Sequence, residues 1–223
     1  MSTPTRYDIL PAPQKALLPQ LKPLIPLGFT LYGGTAIALR LGHRQSVDFD
    51  YFSGRPLDRD LLLRNAPFLT DATVIQDEPE AWTVQTYPLG HSERPVKLSF
   101  FGDLRFGRVG IPSFTDEKEI RLASLEDLLG HKLRVLLQRV EIRDYQDIAA
   151  LLRSGLRLER GLGSASALFP NMFPAAEALR ALTYFKGGDI ENLSQPDRAT
   201  LVAAVSGIGS LEPVLIRSRD LTE

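Results

Sequence analysis

The pattern of apolar and polar positions divides the chain into a mixed first half and a mainly helical second half. Leucines recur at helical spacing through PQKALLPQLKPLIPLG, where Pro19 and Pro23 should shorten or bend the helix. FTLYGG is a short β-prone run that stops at two glycines. GTAIALRLG then reads as a compact helix with Gly42 as its terminator. In SVDFDYFS polar and aromatic residues alternate as in a half-buried strand. Residues 56–66 read as helical, and TVIQDE, AWTVQTYP and RPVKLSFFG as further strands. From about Ser113 the character changes. Ser124 is placed to cap LEDLLGHKLRVLLQR, with Asp127 three residues later, and RDYQDIAALLRSG forms a second amphipathic helix closed by Gly155. PAAEALRALTYF and PDRATLVAAVSG each open with Pro in the first turn. The expected organisation is an α/β (α+β) core over residues 1–115 and a helical domain over 116–223 that contributes to its cleft.

Composition narrows the chemistry. With 223 residues there is enough chain to bury a substantial core. Cysteine is absent, which excludes disulfides, thiolate nucleophiles and cysteine-held zinc. A formal net charge of -1 does not favour a constitutive nucleic-acid binder, although a local basic groove fits within a neutral total. MSTPTRYDIL shows no signal peptide and no run is apolar enough to span a bilayer, so the expected setting is soluble and cytoplasmic.

One constellation carries chemistry. Gly33 and Gly34 end a strand and open a helix, letting the backbone turn tightly and a bulky anion approach the free amides of the first helical turn. Thr35 adds a hydroxyl there, and phosphate is the natural guest. Asp48 and Asp50 stand at i and i+2 of the next strand and so project to one face, with Val47, Phe49 and Tyr51 on the other. Two adjacent carboxylates repel unless a cation sits between them, and Mg2+ completes its shell with phosphate oxygens and water. Arg44 and Ser46, in the loop between, extend the nucleotide-binding candidates.

With these residues in place, the chain resembles the AbiEii/AbiGii toxin nucleotidyltransferase family of the DNA polymerase β-like nucleotidyltransferase superfamily. The resemblance rests on LYGGTAIALRLGHRQSVDFDYFS, VKLSFFG and SLEDLLGHKLRVLLQRVEIRDYQDIAALL, spanning about Leu31 to Leu152. It implies a nucleotidyltransferase fold: a small mixed sheet flanked by helices, with a helical C-terminal part. By position, Gly34 and Thr35 would hold a triphosphate, Asp48 and Asp50 would bind magnesium, and Lys132 would match the family lysine that contacts phosphate. Asp144 and Asp147 match its late acidic motif. Read from the residues alone, Lys132 is either a snorkelling surface lysine or a functional one, and Asp144 and Asp147 either favour their helix dipole or take part in chemistry.

In one respect the sequence departs from that pattern. Ser99 of VKLSFF stands where polymerase-like enzymes carry a third carboxylate, and a hydroxyl is a poor substitute for one. Asp144 or Asp147 takes over, or the site uses one metal, or nucleotide binds without turnover. The expected function is therefore a magnesium-dependent, toxin-type transfer of NMP from an NTP to a hydroxyl on RNA (tRNA) or protein, with a cognate antitoxin as partner. The alternative is a catalytically weak or inactive nucleotide-binding regulatory protein, and transfer to a small molecule is a third reading. Among His43, His91 and His131 no zinc-type spacing occurs. Arg134, Arg139, Arg143, Arg153, Arg157 and Arg160 form either a solvated face or a groove for an RNA backbone.

Overall fold

The computed structural model describes residues 4–88 and 94–222, so His91 lies outside the described residues. They fall into two compact units, one drawn from Met1–Gly107, Ile111–Ala123 and Ser218–Glu223, the other from Arg108–Gly110 and Ser124–Arg217. The first is built on a seven-stranded mixed sheet. Its strands are β1 (Thr30–Tyr32), β2 (Phe49–Phe52), β3 (Thr73–Glu78), β4 (Ala81–Thr86), β5 (Val96–Phe101), β6 (Ser113–Phe114) and β7 (Arg121–Leu122). Across the sheet they run β3-β4-β5-β2-β1-β7-β6, with β2–β5 and β1–β7 parallel and the other pairs antiparallel. Helices α1 (Ala12–Leu21), α2 (Gly33–Leu41) and α3 (Arg59–Asn65) accompany it.

Alternation decides which side of the sheet is dry. Phe49 and Tyr51 of β2 and Leu98 and Phe100 of β5 are fully buried. Their rings stack, with 5.7 Å between the Tyr51 and Phe100 centroids and 5.8 Å between Trp82 and Phe100. Each such side chain taken out of water contributes roughly 1.5–3 kcal/mol, and the aromatic offsets add to that. Asp48, Asp50 and Phe52, on the alternate positions, are only half-buried. Val47 does not follow the expected alternation: it is 43% exposed, because β2 begins at Phe49 and the residues before it are loop.

The short strand β1 is anchored through its surroundings. Ala123 N donates to Leu31 O at 3.0 Å, and Thr30 Oγ1 donates to Leu221 O at 3.1 Å. Helix α2 leaves β1 directly and ends at Gly42, whose left-handed φ of 66° is the terminator the sequence implies. Near its end Arg40 donates to the carbonyls of Leu122 at 3.2 Å and Ala123 at 2.7 Å. Desolvation lowers this guanidinium to about 10, so it stays charged at neutral pH.

The second unit is helical: α4 (Leu125–Val135), α5 (Ile142–Arg153), α6 (Leu158–Leu168), α7 (Ala175–Thr183) and α8 (Gln195–Ser206). Ser124 caps α4 as expected, its Oγ accepting from Asp127 N at 3.0 Å. The Asp127 carboxylate in turn accepts from Ser124 Oγ at 2.6 Å and from Val109 N at 2.7 Å. Leu128, Leu129 and Leu133 form the buried stripe of α4, continued by Leu136 at its C-cap. No helix of the described residues is long and apolar enough to cross a membrane.

Candidate functional site

In the first unit, β1, α2 and β2 bring the glycine turn and the carboxylates together. β1 and β2 pair antiparallel with Tyr32 opposite Asp50, so the residue after Tyr32 lies beside that aspartate. That residue is Gly33, with φ of 70°, a conformation that L side chains rarely adopt. A Cβ placed on Gly33 would come 2.7 Å from Asp50 Oδ2. The glycine is there because the carboxylate occupies the space a side chain would need.

Thr35 is buried, and its hydroxyl proton goes to the carbonyl of Asp48. Ser46 Oγ lies 2.7 Å from the same hydroxyl and is also buried. Thr35 and Ser46 thus fix the backbone that precedes β2, and Gly33 and Gly34 open α2 beside Asp50. Arg44 lies in the same loop, half-buried, and donates from its guanidinium to Gln45 O at 3.0 Å.

A residue that sequence reasoning passed over completes this face. β2 and β5 run parallel with Asp50 opposite Ser99, so Lys97, two residues earlier on β5, lies beside Asp48. Lys97 Nζ is 3.6 Å from Asp48 Oδ2, with the two side chains 39% and 33% exposed. Its signal was the i, i+2 relation of Lys97 to Ser99, which repeats that of Asp48 to Asp50. Ser99 itself is buried.

Among the described residues no group of three or more His, Cys, Asp or Glu side chains is gathered as a metal cage. The donor set Asp48 and Asp50 suits an ion that takes the rest of its shell from water and phosphate, as Mg2+ does, and does not suit a metal needing four protein ligands.

The other predicted acids sit in the second unit. Lys132 on α4 is buried, not a snorkelling surface residue. Its Nζ is 2.6 Å from Asp144 Oδ1 and 2.7 Å from Asp147 Oδ2, both carboxylates having no solvent exposure. Arg139 adds a bond from Nε to Asp144 Oδ2 at 2.9 Å. Two of the three ammonium protons are thereby engaged, and the cluster is neutral overall. Asp144 and Asp147 do more than favour the dipole of α5: they hold a buried cation.

Five of the six arginines picked out in the sequence are paired with acids. Arg139 and Arg143 pair with Glu141, Arg153 with Asp197, Arg157 with Glu159, and Arg160 with Glu126 and Glu212. Exposed pairs of this kind contribute little to stability. His131, one residue before Lys132, turns its ring edge-on to Phe169 at 5.0 Å, away from the cluster.

Comparison with known proteins finds a matching family and similar folds. The family model for the nucleotidyl transferase AbiEii toxin of type IV toxin–antitoxin systems matches residues 23–206. The fold is similar to that of MenT4, a nucleotidyltransferase toxin of Mycobacterium tuberculosis, with a TM-score of 0.56 and 14% identity over 88% of this chain and 82% of that one. It is also similar to an antigenic nucleotidyltransferase-like protein of Paracoccidioides brasiliensis, with a TM-score of 0.53 and 17% identity over 90% of this chain and 94% of that one. An uncharacterized protein of Aquifex aeolicus is 28% identical over 127 residues, 56% of this chain. The match spans 58% of that relative's length. The family model covers most of the sequence, including the glycine turn, the aspartate pair and the Lys132 helix, and the chain belongs to the AbiEii nucleotidyltransferase toxin family.

Proposed function

We propose that the protein is a magnesium-dependent nucleotidyltransferase of toxin type, moving NMP from an NTP to a hydroxyl on RNA or protein. The observation that carries this reading is the seating of Asp50 against Gly33, which sets a carboxylate beside the first turn of α2. The amides of Gly33 and Gly34, with Arg44, would take the triphosphate at the start of α2. Asp48 and Asp50 would hold Mg2+, which when bound neutralises phosphate charge and polarises the α-phosphorus. The acceptor hydroxyl gives its proton to solvent water, its oxygen bonds to the α-phosphorus, and the bond from that phosphorus to the bridging oxygen of the β-phosphate breaks to release pyrophosphate. Placement and charge neutralisation supply most of the acceleration.

Family correspondence gives Lys132 the role of the lysine that contacts phosphate. Those two acids serve as positioning residues for it. Family membership in a type IV toxin–antitoxin system also suggests an antitoxin partner. Incubating the purified chain with each labelled NTP, Mg2+ and cell extract tests the reading. Asp48→Ala should lower label transfer at least about a hundredfold, the scale of a lost electrostatic contact in the transition state. Equal labelling by the variant would remove Asp48 from the mechanism.

The buried serine opposite Asp50 favours a second reading, in which nucleotide binds without turnover. NTP and Mg2+ binding by calorimetry, in the absence of any transfer, would select it.

A further inference from the structure

We propose that this site takes one divalent cation, and that Lys97 supplies from the protein the positive charge that a second ion would otherwise bring. The inference rests on the nucleotide-binding reading of Asp48 and Asp50.

The sheet register carries the argument. Asp50 is paired in parallel with Ser99, and neighbouring strands stand about 4.8 Å apart with paired side chains on the same face. A carboxylate at position 99 would therefore adjoin Asp50 and make a three-acid platform. The residue present is a neutral, buried serine. Two positions back on each strand the same register sets Lys97 beside Asp48, and its ammonium lies 3.6 Å from Asp48 Oδ2. Where a two-ion platform offers three negative charges, this face offers two and adds a positive one.

The charges then balance in a telling way. Three carboxylates with two divalent ions leave one net positive charge to meet the triphosphate. Two carboxylates, one ammonium and one divalent ion leave the same. A second ion here would find a hydroxyl instead of an anionic ligand and an ammonium already near Asp48, so both coordination and Coulomb energy oppose it. With a third of each side chain exposed, Lys97 and Asp48 separate at little cost, and the lysine can turn from the carboxylate to phosphate once an ion arrives.

The test counts ions directly. Mn2+ is titrated into the full chain with each of the four nonhydrolysable NTP analogues, and bound Mn2+ per chain is read by electron paramagnetic resonance. One ion per nucleotide-loaded chain is expected. Lys97→Ala should bind Mn2+ alone at least about threefold more tightly, since the competing ammonium is gone, while its affinity for the Mn2+-loaded analogue falls. The double variant Lys97→Ala, Ser99→Asp should bind two ions. Two ions on the wild-type chain, or unchanged Mn2+ and analogue affinities in Lys97→Ala, would overturn the inference and leave the nucleotide site standing. No Mn2+ bound by the wild type, with or without analogue, would overturn the site assignment and the inference together.

Discussion

Two pairs of closely spaced aspartates, one on β2 and its approach and one on α5, have surroundings that could hardly differ more. Asp48 and Asp50 lie at alternate positions leading into and along β2, on the half-exposed face, with a loosely placed lysine at 3.6 Å. Asp144 and Asp147 lie one turn apart on α5, without solvent exposure, clamped by Lys132 at 2.6 and 2.7 Å. A carboxylate's chemistry follows its environment. The buried pair has its counter-charge built in, and breaking it leaves uncompensated charge in the interior. The half-exposed pair is the one that, on the proposed function, would exchange water for a cation.

The strongest way to break this contrast is to remove the cation from the buried pair. Lys132→Met should destabilise the fold by about 3–5 kcal/mol, because both carboxylates lose their principal partner while staying buried. Urea unfolding measures it, with Asp48→Ala as the counterpart. That second variant should shift the midpoint little, since a surface pair contributes roughly 0–1 kcal/mol. Similar losses for both would mean that the two pairs are equivalent structural features.

A smaller effect sharpens the exposed side. Gly33→Ala puts a Cβ into the space of Asp50 Oδ2 and asks alanine to hold a φ of 70°. A stability loss of about 1–2 kcal/mol is expected from the backbone alone. Mn2+ affinity should fall with it, since Asp50 must move aside. A variant with full Mn2+ affinity would show that the carboxylate needs no seat against the glycine.

A further effect concerns pH and the helix of the buried pair. Desolvation pushes His131 down from 6.5 to about 3. Below pH 6.5 the unfolded chain takes up a proton that the folded chain refuses. The stability present above that pH is therefore lost progressively as pH falls toward 3, by no more than about 1.4 kcal/mol per pH unit. Urea midpoints of the wild type and His131→Phe should diverge between pH 7 and 5, and parallel curves would mean that the imidazole is not the titrating group.

What the sequence made legible was local, and what it hid was pairing at a distance. Alternation in VDFDYF identified which residues of β2 face the core, because a strand's period of two needs no partner. The glycine turn was visible for the same reason. Ser99 was located by family pattern, but Lys97 was not, since its meaning comes from the register of β5 against β2. Likewise the i, i+3 spacing of Asp144 and Asp147 placed them on one face of α5, yet Lys132 on α4 decides what they do. Two-residue strands such as β6 and β7 have no pattern to read. Helix α6 escaped notice because Gly161 and Gly163 depress its propensity.

The tie between Thr35 and the Asp48 carbonyl bears on how fast a guest can arrive. It immobilises the main chain of the aspartate while its carboxylate stays a third open to solvent. As the proposed metal ligand, Asp48 would be preorganised, its ordering cost already met in folding. Capture of an ion should then be timed by the shedding of its own hydration water, slow for Mg2+, and not by any rearrangement of the polypeptide.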